Sequence, residues 1–191
     1  DHGAKRMLGG ICINEWLMQE GYLKLKSKPD GVVRLDKCEI DWANTKAWGE
    51  GGYYGRMFIN VEGREPQGTV PKEKYEEFRN ELIQKLEAMT DEEGKKLGTK
   101  VFRPEETYAE CKNIAPDLIV YFGDLDWRSV GSVGLDSVYT YENDTGPDDA
   151  NHAQYGIFIM KAPGMAPRGK VEGIDILDFA PTVLSLLGEQ V

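Results

Sequence analysis

Pro116-Asp-Leu-Ile-Val-Tyr-Phe122 is short and almost wholly apolar. A strand with one wet face alternates apolar and polar residues. A run that stays apolar suits a strand buried on both faces, as in a parallel sheet covered by helices. Gly156-Ile-Phe-Ile-Met160 has the same character and reads as a second such strand. Strands of this kind need helices over them. The best candidate spans residues 72–89, opened by Pro71, whose missing N–H is harmless there. Glu73, Glu76 and Glu77 suit its positive N-terminal end, and Tyr75, Phe78, Leu82, Ile83 and Leu86 form one apolar stripe. Residues 11–26 predict a shorter amphipathic helix carrying Ile13, Trp16 and Leu17, with Asn14 near its start and Gly21 as its stop. A last helix begins near Asp178 or Pro181, runs to Leu187 and stops at Gly188. Further strands are expected at 56–61, 100–103 and 137–141, and an irregular, aromatic-rich loop at 41–55. Strand–helix alternation with buried strands predicts an α/β sheet.

Composition narrows the function. The chain has 191 residues, enough for one sizeable core. A formal charge of -10 argues against nucleic acid and against an anionic membrane as the main partner, since both demand basic patches. No apolar run approaches the length of a membrane span. Cys12, Cys38 and Cys111 are odd in number and widely spaced, so neither a disulfide framework nor a zinc knuckle is indicated. A reducing, cytoplasmic setting is the expectation.

The two histidines are the most pointed chemical signal. His2 follows Asp1, and His152 stands just before the predicted strand at 156–160. Carboxylate with neutral imidazole suits zinc or manganese. In open α/β sheets, sites form in loops at the carboxyl ends of strands. A chain that opens on a candidate ligand is unusual, because ends fray, and it reads as the second part of something longer.

The ordered series Asp1-His-Gly3, Asn14-Glu-Trp-Leu17 to Gly21-Tyr-Leu23, Asp41-Trp42 with Thr45-Lys-Ala47, and Asn60 to Gly68 resembles the alkaline phosphatase superfamily. Ala115-Pro-Asp-Leu118, His152 to Gly156, and Asp178-Phe-Ala-Pro-Thr-Val-Leu184 continue the series. The nearest branch is that of type I phosphodiesterase/nucleotide pyrophosphatase-like phosphohydrolases and phosphomutases. The resemblance implies part of a three-layer α/β sandwich with a mostly parallel sheet. The chain would be the C-terminal portion of one such domain, truncated on its N-terminal side, with an α+β insertion-like segment at about 36–110. It also implies two metal ions, zinc or sometimes manganese, beside a Thr or Ser nucleophile lying upstream of this chain. Asp1 and His2 would ligate one metal and His152 the other, and the substrate would be a small-molecule phosphate ester. Paired divalent ions stabilise both the attacking and the leaving oxygens of an in-line displacement. Three ligands shared by two ions fall short of the usual four apiece. The isolated chain is therefore expected to be inactive, with the missing N-terminal part of the same protein as its essential partner.

Other residues have two readings each. Arg64, in Gly63-Arg-Glu-Pro66, could hold an anionic substrate group through its fork of donors, or pin its own loop to a carboxylate. The aromatics between Trp42 and Tyr54 could stack on a nucleobase, or simply pack on the sheet. Cys12 reads as an inert helix residue. The rival to a hydrolase is a non-catalytic binding domain in which Asp1, His2 and His152 are remnants. A phosphomutase sharing the same metals is a variant of the first reading.

Overall fold

The computed structural model describes residues 2–142 and 149–189. In chain order the elements are β1 (Gly3–Arg6), β2 (Gly9–Cys12), α1 (Ile13–Gln19), β3 (Val33–Arg34), β4 (Ala47–Glu50) and β5 (Gly55–Ile59). There follow α2 (Tyr75–Glu87), β6 (Lys100–Phe102), α3 (Pro104–Thr107), β7 (Leu118–Tyr121), β8 (Trp127–Val130), β9 (Ser132–Val133), β10 (Tyr139–Thr140), β11 (Ala150–Ala153) and α4 (Phe179–Leu186). They fall into two compact units. One is Ala4–His152; the other comprises the described residues of Asp1–Gly3 and Ala153–Val191.

The larger unit is built on a four-stranded sheet in the order β4-β5-β7-β6. Register sorts its residues into two faces. Ala47 lies opposite Ile59, Gly49 opposite Met57, and Met57 opposite Leu118. Ala47, Met57, Ile59 and Leu118, with Val120, are buried and share one core with Ile13 and Leu17 of α1 and Phe78, Leu82 and Leu86 of α2. The other face is aromatic. Trp48 stacks on Phe58 with 5.4 Å between ring centroids, Trp42 meets Trp48 edge-on, and Phe102 meets Tyr121 edge-on. Packing on the sheet thus accounts for Trp42 and Trp48. A second sheet, β10-β2-β8, runs through wholly buried β2 and β8.

The α/β class holds, with one correction. The sheet around β7 is antiparallel in every pairing, and among the described strand pairs with a set register only β2–β8 is parallel. A mostly parallel sheet is therefore not what these residues form. Residues 116–122 do give the buried strand they promised, with Leu118 and Val120 fully buried. Apolar content reports how many faces of a strand are covered, not its direction. Direction is set by connections, and the four residues between β4 and β5 can only turn the chain back. The irregular loop expected at 41–55 contains β4, and Cys12 ends a strand rather than sitting within a helix.

α2 begins three residues later than expected, after a 3-10 turn at Lys72–Lys74. α1 ends as expected, with Gly21 at φ +76 just beyond it. Asn14 is no cap. It is fully buried, its amide donates to the carbonyls of Gly49 and Gly131, and its oxygen accepts from Gly49 N–H, tying α1 to β4.

In the smaller unit, the final helix is present as α4. A 3-10 turn capped by Asp175 leads into it: the carboxylate accepts from Leu177 N–H, and Asp178 accepts from Asp175 N–H. Residues 156–160, expected as a buried strand, form none, and Ile157 and Ile159 are 91% and 90% exposed. A strand needs a neighbour to satisfy its backbone polar groups, and no described residue pairs with this run.

Candidate functional site

Asp1 lies outside the described residues. His2 is exposed, with ring Nδ1 2.8 Å from the carbonyl oxygen of Gly3. The glycine of Asp1-His-Gly3 has a steric cause. A Cβ on Gly3 would lie 2.0 Å from the carbonyl oxygen of Tyr155, and one on Gly156 would lie 3.1 Å from that of His2. Backbone thus runs against backbone, holding His2 beside Tyr155 and Gly156.

His152 is half-buried on β11 and belongs to the other unit. Its imidazole packs on Tyr53, with 3.6 Å between ring centroids and a 45° tilt. The neighbouring Asn151 is 3% exposed and organises this corner. Its amide donates to the carbonyls of Leu125, at 2.8 Å, and Tyr53, at 3.3 Å, while its oxygen accepts from His152 N–H.

Leu125 closes an unusual turn. Gly123, Asp124 and Leu125 have φ of 57°, 55° and 72°, a left-handed run in which the two non-glycine residues are strained. Lys5 donates to the Asp124 carbonyl and pairs with Asp126 at 2.6 Å, and Lys100 pairs with Asp124 at 2.9 Å. The His152 corner is therefore clamped from β1, β6 and β11. The sequence carries a faint signal of it in the polar residues that bracket Leu125. Nothing in the pattern marks Asn151 or Tyr53.

Arg64 is engaged on every side. Nη1 and Nη2 donate to the two carboxylate oxygens of Asp117, each at 2.7 Å. Nη2 also donates to the Ile59 carbonyl, and Nε donates to Glu65 at 3.0 Å. Its pKa is pushed further up, first by the hydrogen bond to Asp117 and against the opposing effect of burial. Asp117 is 5% exposed and also accepts from Tyr75 Oη and from Ile59 N–H, both at 2.6 Å. The Tyr75 phenol is raised above its ordinary value by burial first and by that hydrogen bond second, so it stays a donor at neutral pH. Arg79 grips the Asp117 main-chain carbonyl and pairs with Glu105.

Asp117 escaped the sequence reading. An acid set immediately before a wholly apolar strand was the available sign, because a buried charge requires partners.

Arg64→Ala in the complete protein is expected to cost about 2 kcal/mol, in line with charged hydrogen bonds. Turnover and KM per folded molecule should stay level. A normal melting curve with a strongly raised KM would instead put the guanidinium on the substrate.

Among the described residues no three or more His, Cys, Asp or Glu side chains gather so as to hold a metal ion. No helix among the described residues is long and apolar enough to cross a membrane.

Neither a curated protein nor a solved structure matches the chain. Residues 1–148, more than three-quarters of its length, do match the type I phosphodiesterase / nucleotide pyrophosphatase family, consistent with the alkaline phosphatase superfamily. The chain belongs to this family.

Proposed function

We propose that the chain is the C-terminal portion of an alkaline-phosphatase-like domain that hydrolyses small-molecule phosphate mono- or diesters. The observation that carries this reading is the family match across Asp1-His2 and the whole larger-unit core. Asp1 and His2 are proposed as ligands of one divalent metal and His152 as a ligand of a second, zinc or manganese. The family is generally metal-dependent, and bound cations would offset the repulsion that a chain of charge -10 exerts on a phosphate ester. A Thr or Ser nucleophile and the remaining ligands would come from protein outside these 191 residues.

A feature of the smaller unit supports that last point. Tyr155, Ile157, Ile159, Leu177 and Leu187 are each more than 70% exposed. Apolar side chains left this open suit residues that are covered in the complete protein, and the rest of the same domain is the proposed cover. A cytoplasmic setting is proposed as well, since Cys12, Cys38 and Cys111 form no disulfide.

The test is hydrolysis of bis(p-nitrophenyl) phosphate and p-nitrophenyl phosphate by the complete protein with zinc or manganese supplied. Turnover of at least one ester is expected, with none from residues 1–191 alone. A complete, folded protein that hydrolyses neither would overturn the reading in favour of a binding domain.

A further inference from the structure

The loop between β4 and β5 is pinned at its base. Gly52 and Ser129 of β8 exchange two backbone hydrogen bonds, at 2.9 and 3.0 Å. A Cβ on Gly51 would stand 2.4 Å from the Gly131 nitrogen and 2.7 Å from the Ser129 carbonyl oxygen, so only glycine allows that approach. The pinned loop presents two adjacent tyrosines, and their rings go different ways. Tyr54 meets Tyr121 of the sheet, with 5.8 Å between ring centroids. Tyr53 meets the His152 imidazole. The Tyr53 carbonyl also accepts from the amide of Asn151, whose oxygen in turn accepts from His152 N–H. Main chain and ring of Tyr53 thus both bear on Asn151 and His152.

Core packing does not account for this ring. Tyr53 is 54% exposed and stands outside the core of the larger unit. A ring so open to water buries little area and contributes little to stability, yet it restricts how the imidazole beside it can turn. Imidazole is a donor suited to zinc, so the residue fits the role proposed for His152. A ligating imidazole must be held in one orientation, and the groups that hold it govern affinity without touching the ion. We propose that Tyr53 is a positioning residue: its ring sets the orientation of the His152 imidazole, and through it the retention of one metal ion. The role rests on His152 being a ligand, as proposed above.

The test is a chelator titration of the complete, zinc-loaded protein, with metal content read at each step. Tyr53→Ala should release one of two ions about tenfold more readily than wild type, the lower end for groups that support a metal ligand. Melted free of metal, it should stay within about 2 °C of wild type, as befits an exposed side chain. Tyr53→Phe keeps the ring and should restore wild-type retention. Wild-type retention in Tyr53→Ala, while His152→Gln loses one ion, would overturn the positioning role and leave the ligand assignment standing. Metal-free Tyr53→Ala melting well below that limit would make Tyr53 a stability residue instead, and failure of Tyr53→Phe to restore retention would put the effect on the hydroxyl. Retention of both ions by His152→Gln would overturn the ligand assignment, and the positioning role with it.

Discussion

Asp117→Ala is expected to lower the melting temperature of the complete protein by about 6–12 °C. The substitution strands three donors at once: the Ile59 N–H, the Tyr75 hydroxyl and the Arg64 guanidinium all point at the vacated carboxylate. Removing one partner of a buried ion pair costs about 3–5 kcal/mol. The Arg64 side chain is 43% exposed, so water recovers part of that loss and the lower end, about 3 kcal/mol, is expected. In a domain of this size each kcal/mol moves the midpoint by about 2–4 °C. Asp117→Asn separates charge from geometry. It keeps one carbonyl oxygen for Ile59 or Tyr75 but loses the anion, so its loss should lie between those of Arg64→Ala and Asp117→Ala. Thermal denaturation of the three variants, with activity per folded molecule as the second readout, checks the series. A melting curve for Asp117→Ala within a degree of wild type would show that the hub contributes nothing to stability.

The larger unit was legible wherever a local pattern decides structure. The stripe from Phe78 to Leu86 gave α2, the Gly21 stop ended α1, and the run 116–122 gave a buried strand. It was illegible where partners distant in sequence decide. β2 starts Gly9-Gly10, with no side-chain pattern to read, and is buried because β8 and β10 flank it. The glycines fit that crowding: a Cβ on Gly10 would meet Val130 at 2.7 Å and Thr140 at 2.9 Å. Residues 156–160 show the converse. Their apolarity is real, yet Ile157 and Ile159 lie open, and Phe158 meets α4 only edge-on at Phe179. The same holds for chemistry. His2 and His152 stood out by rarity, whereas the contacts of Asn151, with Leu125, Tyr53 and His152, depend on a tertiary corner that spacing cannot foretell.

That corner frames the largest effect expected on activity. If His152 is a metal ligand, as proposed, His152→Ala in the complete protein should reduce bound zinc or manganese toward half of the total. Hydrolysis should fall by about two orders of magnitude or more, because a bound divalent ion supplies several kcal/mol of charge stabilisation. Chelation of the wild-type protein should reach the same floor, and excess metal should restore part of the variant's rate by mass action. Stability offers the control. The imidazole packs on Tyr53, so truncation to Ala also forfeits a ring contact, worth about 1 kcal/mol between aromatic groups. His152→Gln fills more of that space without an imidazole, and it should melt closer to wild type while remaining as inactive as the alanine variant. Asn151→Ala gives the complementary case. It leaves the ring in place but removes the amide that bonds to the Leu125 and Tyr53 carbonyls, so metal content should fall less than in His152→Ala. Metal content by plasma mass spectrometry, read beside diester and monoester rates, decides the matter. Full metal content with wild-type rates in His152→Gln would make this imidazole a packing partner of Tyr53 and nothing more.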